Sequence, residues 1–272
     1  MSSAPLTAEE LKPRDASKLY WAFADAAVLA RRHLVQIPRI PELLVFATIQ
    51  PVMLVLLFRY VFGGAIDVGD QTYVNYLMAG IFVQTVAFGG VATGIGLAAD
   101  LQMGLIDRFR SLPMSRSAVL TGRTVADLVR NMFVVLIMLL VGILVGFRPD
   151  ASPVDWAAAI GLLLLLSFAF SWIGAAVGLL VRSVEAAQSG GFIWLFPLTF
   201  ASSAFVPPDT MPGWLQTFAD NQPFSLIVNS VRALFLDTPI GSDGWAALAW
   251  LIGLLVVFAP LSVRLYEKRT SH

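Results

Sequence analysis

The feature that most constrains this chain is the spacing of its charges. Six long stretches contain no Asp, Glu, Lys or Arg: Leu43–Phe58, Gln71–Ala99, Asn131–Phe147, Trp156–Val181, Ala186–Pro208 and Gly244–Val263. A helix needs roughly 20 mainly apolar residues to cross the hydrocarbon core of a bilayer, and all six reach or approach that length. The two shortest extend past a terminal charge, to Phe62 in the first and back to Thr124 in the third. The composition agrees, with 57% hydrophobic and 13% charged residues, about half the charge of a soluble domain. The expectation is an all-α polytopic membrane protein. Its six transmembrane helices are drawn at about 43–62, 73–99, 124–147, 156–181, 186–206 and 244–264.

An even number of spans puts both termini on one side. That side collects Lys12, Arg14, Lys18, Arg31, Arg32 and Arg39, then Arg108, Arg110, Arg116 and Arg123, then Arg182, and finally Arg264, Lys268 and Arg269. The opposite loops hold Arg148 and Arg232. Retained basic residues mark the cytoplasmic side, so both termini are expected in the cytoplasm.

Ahead of the first span, residues 1–17 are polar, with no apolar core after a basic start, and read as a disordered cytoplasmic tail rather than a signal peptide. From Lys18 to Ile37 a helical wheel gathers Leu19, Phe23, Ala26, Ala27, Ala30, Leu34 and Ile37 on one face, opposite Lys18, Asp25, Arg32 and Gln36. Pro38 and Pro41 stop it. Residues 18–40 therefore read as an amphipathic helix in the membrane interface, before a membrane domain over 41–269.

Composition also excludes chemistry. Without Cys there is no disulfide, no Cys-ligated zinc and no iron–sulfur site. His33 and His272 both lie outside the spans, which leaves no histidine metal cluster or His-based triad. None of Lys12, Lys18 and Lys268 follows a Gly, so the Walker A phosphate loop is absent. The acidic loops, Asp67 with Asp70, Asp150 with Asp155, and Asp209, Asp220, Asp237 and Asp243, show no metal spacing with a supporting His. An enzyme active site is not expected. The charge-free stretches supply no Asp, Glu, Lys or His for a proton relay, which disfavours an ion-coupled carrier; Gln84, Ser167 and Ser171 are their notable polar residues.

Glycines crowd the second span (Gly80, Gly89, Gly90, Gly94 and Gly96) and the fourth (Gly161, Gly174 and Gly178). They read as close helix–helix contacts, because small residues let backbones approach where lipid gives no hydrophobic force between helices. Arg59, at the outer end of the first span, is expected to snorkel to the interface.

The loop after the second span is more organised than a connector needs. In Asp100–Pro113, Leu101, Leu105, Phe109 and Leu112 recur at helical spacing, with Asp107, Arg110 and Ser111 on other faces. A short amphipathic helix ended by Pro113 is expected. An apolar stripe flanked by charge suits either a membrane-lying connector or a groove on a soluble partner.

This segment carries a family resemblance. MGLIDRFRSLPMSRSAVLTGR, beginning at Met103, resembles the cytoplasmic-loop signature of type-2 ABC transporter permeases, and is most similar to the daunorubicin-resistance-type branch of actinobacterial drug exporters. Tyr60–Ile66, Leu77–Leu97, Asn221–Pro223 and Val231–Leu234 resemble further segments of that family, so the resemblance covers most of the chain from Pro41 onward. Arg59 departs from the pattern, which has a small or apolar residue there. The resemblance implies the type-2 ABC exporter permease fold, a bacterial cytoplasmic-membrane location, and no cofactor on this chain. ATP and Mg would be bound by a separate ATP-binding subunit, and a second permease copy would complete the transporter. The family's docking positions fall on Gly104, Leu105, Asp107, Arg108, Phe109, Arg110, Leu112 and Pro113.

Before the last span, Val206–Thr210 breaks the fifth. Pro212–Ala219 and the segment opened by Pro223 make two helices too short to cross, similar to the extracellular re-entrant helices of the family. Trp194, Phe196, Trp214 and Phe218 are the candidates for a pathway or exit. The expected cargo is an amphipathic drug-like or lipid molecule, because the spans present apolar surface and no fixed charge for a polar solute. The alternative cargo is a lipid-linked polysaccharide or glycolipid.

Overall fold

A computed structural model of the chain describes Val28, Ala30, Arg31 and residues 41–69, 71–104 and 116–270. The described residues are helical with short turns and no strand. α1 spans Pro41–Leu57 and continues through a π-turn, Phe58–Phe62. α2 is Tyr73–Gln102, α3 Arg116–Val145, α4 Pro153–Leu180 and α5 Val184–Phe200. A 3₁₀ turn at Pro208–Thr210 leads to α6 (Gly213–Asn221), α7 (Pro223–Phe235) and α8 (Asp243–Thr270).

Four helices, α2, α3, α4 and α8, are long and apolar enough to cross a membrane. α1 with its π-turn and the 17-residue α5 are shorter. Of the expected fifth span at 186–206, only the part to Phe200 is regular helix. Pro197 has no N–H to donate, and the Ala201 N–H closes the last turn on the Pro197 carbonyl at 2.9 Å. Elsewhere the ends are set by local chemistry. Ser152 and Asp155 form a reciprocal capping box at the start of α4, with Pro153 in the first turn. The Ser183 hydroxyl caps α5 by accepting from the Ala186 N–H at 3.1 Å.

Two expectations need correction. The amphipathic helix drawn over Asp100–Pro113 does not begin as a separate element: Asp100 and Leu101 belong to α2, which ends at a left-handed Gly104 (φ 64°). Leu105, Asp107, Arg108, Phe109, Arg110, Leu112 and Pro113 lie outside the described residues, as does most of the 18–40 helix. Of that helix Val28, Ala30 and Arg31 are described, and all three are helical. The second correction concerns membrane charge. α3 runs continuously through Thr124, so Asp127 and Arg130 sit inside the expected third span, and Asp127 is only 7% exposed.

α2 is the central helix, buried along most of its length against α4, α5, α3 and α7. Its contact with α4 is a glycine seam. A Cβ on Gly174 would land on the carbonyl oxygen of Gly90 and 3.3 Å from the Gly94 nitrogen; one on Gly178 would meet the Gly94 carbonyl. Here backbone touches backbone, as small-residue packing in membranes permits. Gly161 is different: a Cβ there meets nothing within 4 Å.

At the loop end opposite the termini, α7 packs into the bundle through Phe224, Ile227, Val231 and Phe235, all buried. α6 stays at the surface, with Trp214 76% exposed. At the terminal end, Arg269 donates to the carbonyls of Leu180 and Val181, and Arg123 to Asp100.

Candidate functional site

The N-terminal half of α3 carries an unusual face. Thr124, Asp127 and Asn131 follow one another at i, i+3 and i+7, which aligns them on one side of a helix. All three are buried, whereas Val125, Val129, Phe133, Leu136 and Leu140 project outward. The Asp127 carboxylate accepts from the Thr93 hydroxyl of α2 at 2.6 Å and from Arg130 Nη1 at 3.2 Å. Arg130 Nη2 also donates to the Gly89 carbonyl at 3.3 Å. Asn131 donates to Ser167 Oγ of α4 at 2.8 Å, and Ser171 Oγ lies 3.4 Å from Thr93 Oγ1. The cluster is formally neutral, and each charge is held by an opposite charge and a hydrogen bond, the condition for burying ions. Gly89 makes room for it, because a Cβ there would meet the Asn131 amide.

Beside this cluster α1, α2, α3 and α5 enclose a cavity of about 250 Å³. Its lining includes Gln84, Thr85, Arg130 and Asn131 together with Phe88 and Phe192. Gln84 is 4% exposed, and no described residue hydrogen-bonds its amide. The Thr85 hydroxyl is buried and likewise unpartnered among the described residues.

From the cavity a run of phenylalanines leads along α5 to the opposite end of α1. Ring centroids are 5.4 Å apart for Phe88–Phe192, 5.7 Å for Phe192–Phe196 and 5.3 Å for Phe196–Phe200. They are 5.1 Å apart for Phe200–Phe205, 4.7 Å for Phe205–Phe58 and 5.4 Å for Phe58–Phe62. These separations are those of interacting aromatic pairs. On α5 the spacing of four puts successive rings on one face. Phe88, Phe205 and Phe58 join from three other segments.

The far end of this run is pinned by polar contacts. Arg232 of α7 stacks over the Tyr76 ring at 3.7 Å and donates to the carbonyls of Tyr76 and Ser203 and to Asn229 Oδ1. Tyr76 and Tyr73 donate their hydroxyls to the Ser203 and Phe205 carbonyls at 2.8 and 2.9 Å. These bonds satisfy carbonyls that the break after α5 leaves without helical partners.

The residues singled out from sequence do not converge. Phe196 lies on the aromatic run, but Trp194 points to α4, where it meets Phe170 at 5.8 Å. Trp214 and Phe218 project from α6. Of the docking set, Gly104 alone is described. Arg59 sits in the π-turn, partly buried, with its Nε unpartnered among the described residues. Asp127, Arg130, Asn131 and Thr93 were missed, although their charge, polarity and helical spacing are visible in the sequence.

Residues 25–236 match the model of the ABC-2 type transporter family. The chain is 35% identical over 232 residues to the daunorubicin resistance ABC transporter permease protein DrrB1 of Streptomyces coeruleorubidus, covering 85% of this chain and 82% of the relative. It is 28% identical over 229 residues to the probable doxorubicin resistance ABC transporter permease protein DrrC of Mycobacterium tuberculosis, covering 81% and 82%. A putative transport permease, ycf38, of Cyanophora paradoxa is 26% identical over 214 residues, 76% of this chain and 73% of the relative.

Proposed function

The chain belongs to the ABC-2 type transporter family, and from that membership we propose that it is the permease subunit of an ATP-driven exporter for amphipathic drug-like molecules. The observation that carries this reading is the likeness to drug-resistance permeases over more than four-fifths of both chains. The site is consistent with it: a cavity lined by both polar and aromatic side chains, joined to an aromatic run, suits a molecule with an apolar body and a few hydrogen-bonding groups.

In this reading α1 and α5 join the four long helices as the six crossings, with both termini cytoplasmic in a bacterial cell membrane. ATP and Mg bind a separate subunit, consistent with the missing Walker A loop. A second permease copy completes the transporter. Gly104–Pro113 docks the ATP-binding subunit, with Phe109 as its aromatic anchor. Interface anchors commonly contribute about 2 kcal/mol or more, so Phe109→Ala lowers co-purification of that subunit and transport together, by roughly 30-fold.

The test is reconstitution with the partner ATP-binding subunit in proteoliposomes, reading movement of an uncharged amphipathic drug. The expected result is transport that needs ATP and survives a protonophore. Transport abolished by the protonophore at constant ATP would instead make the chain an ion-coupled carrier, with Asp127 as the group to examine.

A further inference from the structure

We propose that the cavity between α1, α2, α3 and α5 is a binding site for uncharged, ring-bearing amphiphiles, in which Gln84 and Thr85 hydrogen-bond the ligand's carbonyl or hydroxyl groups. The inference deepens the export reading by naming a substrate class and its residues, but the binding it asserts needs neither ATP nor a partner.

Three observations lead there. The first is the unsatisfied polar pair. Gln84 and Thr85 are neighbours on α2, deep in a long apolar helix, and both line the cavity. The Thr85 hydroxyl is buried without a hydrogen-bond partner among the described residues, and no described residue hydrogen-bonds the Gln84 amide, whose polar atoms are not fully buried. A buried hydroxyl without a partner costs free energy, and the other buried polar groups nearby, Thr93, Asp127, Asn131, Ser167 and Ser171, are all paired. Two adjacent exceptions on one cavity wall are the pattern of a site whose partners arrive with a ligand.

The second observation is charge. Among the described residues that line the cavity the one cation, Arg130, is already engaged by Asp127 and by the Gly89 carbonyl. The cluster offers no net charge to an anion or a cation. The groups left for recognition are an amide, which donates and accepts, and a hydroxyl, which does the same. They select a neutral ligand carrying carbonyl or hydroxyl groups.

The third is the shape of the apolar wall. Phe88 and Phe192 face the cavity with centroids 5.4 Å apart, and Phe192 begins the aromatic run along α5. A planar ring laid on these side chains gains stacking contacts that a flexible acyl chain does not.

The full-length protein in phospholipid nanodiscs tests this by saturable binding of 1,4-dihydroxyanthraquinone, with anthracene as the apolar analogue of similar shape and empty discs as background. One saturable dihydroxyanthraquinone site per chain is expected, with anthracene bound roughly ten-fold more weakly. Gln84→Leu should remove that preference while leaving the melting temperature unchanged or higher, because it deletes an unpaired polar group. A purely structural amide would move stability down instead. Thr85→Val should act in the same sense, and Ala92→Phe, which fills the cavity, should abolish binding of both probes.

Equal binding of the two probes by the wild-type chain would overturn the proposal, as would a preference that survives both Gln84→Leu and Thr85→Val. Saturable binding in detergent that disappears in the lipid discs would place a bilayer lipid in the cavity and also overturn it. Binding as expected without ATP-driven transport would defeat the export reading and leave this site standing. Transport without saturable binding would do the reverse.

Discussion

The two sides of α2 are built on opposite principles. Toward α4 the helix shows Gly90 and Gly94, where backbone comes against backbone. Toward α1 and α3 it shows Gln84, Thr85 and Phe88, and the neighbouring helix leaves a cavity and answers with charged and amide groups. The first side gains its stability from dispersion at very short range, which fixes one geometry. The second is held by a few directional bonds around open space, an arrangement that can be remade when something enters. Burial agrees with the contrast: 72% of the apolar window of α2 and 67% of that of α4 are buried, against 28% of that of α3. One helix thus gives the protein a rigid half and an adaptable one.

The largest effect should come from breaking the rigid side. Gly174→Val places a branched side chain where the Gly90 carbonyl already stands. The obstacle is backbone on both helices, so no rotamer relieves it. The cost should exceed about 3 kcal/mol, the upper end of ordinary overpacking. Expression should yield little monodisperse protein by size-exclusion chromatography, and a normal melting temperature would show that α2 and α4 do not touch as described.

On the adaptable side the next effect is smaller and, by the same argument, repairable. Asp127→Leu leaves Arg130 without its carboxylate and Thr93 without its nearest acceptor. Stranding a fully buried charge costs about 3–5 kcal/mol, but the Arg130 side chain keeps 22% exposure. A loss of about 2 kcal/mol is expected, read as thermal unfolding in detergent. Asp127→Leu with Arg130→Leu should recover most of it, since the pair need only be removed together. A double variant as unstable as the single one would show that the cluster holds α3 by more than charge balance.

The two sides were unequally legible in the sequence, for a physical reason. The seam announces itself, because Gly90, Gly94, Gly174 and Gly178 have few uses in a spanning helix other than close approach. The polar side is harder to see. Asp127 and Arg130 lie within the span drawn from Thr124 but just ahead of the charge-free stretch that opens at Asn131, so a reading of the charge-free stretches alone passes over them. The period of Thr124, Asp127 and Asn131 would have exposed them. The aromatic run was half legible: Phe192, Phe196 and Phe200 share a helical face, but Phe88, Phe205 and Phe58 meet them only through tertiary packing. Gly161, read with the other glycines as a contact residue, faces no described residue of this chain within 4 Å.

Gly89→Ala probes the border between the two sides. Its Cβ would press on the Asn131 amide, 2.6 Å from Cγ, which is the end of a side chain and can move. The displacement weakens the Asn131–Ser167 bond, worth about 1 kcal/mol. Alanine's better helix propensity offsets part of that. A net loss under about 1 kcal/mol is expected in the same thermal assay. If the loss matched that of Gly174→Val, the polar side would be as rigid as the seam, and the contrast between them would fail.

The smallest effect, and the one with the opposite sign, belongs to Gly161. It stands on α4, the helix that supplies half of the seam, yet a Cβ there meets nothing within 4 Å and borders an open groove shared with Leu234 and Trp245. Glycine inside a helix costs roughly 0.8–1 kcal/mol relative to alanine through lost backbone entropy. Where no neighbour objects, the added methyl should therefore stabilise. Gly161→Ala is expected to raise the melting temperature slightly, by at most about 1 kcal/mol of stability, and to leave binding and transport unchanged. Gly174→Ala on the same helix should lower it sharply. The pair isolates contact from composition: the two substitutions are chemically identical, lie on one helix, and differ in whether a backbone stands opposite. A loss of stability at Gly161 would mean that a second chain or another helix covers that groove, and that the seam extends further along α4 than Gly174.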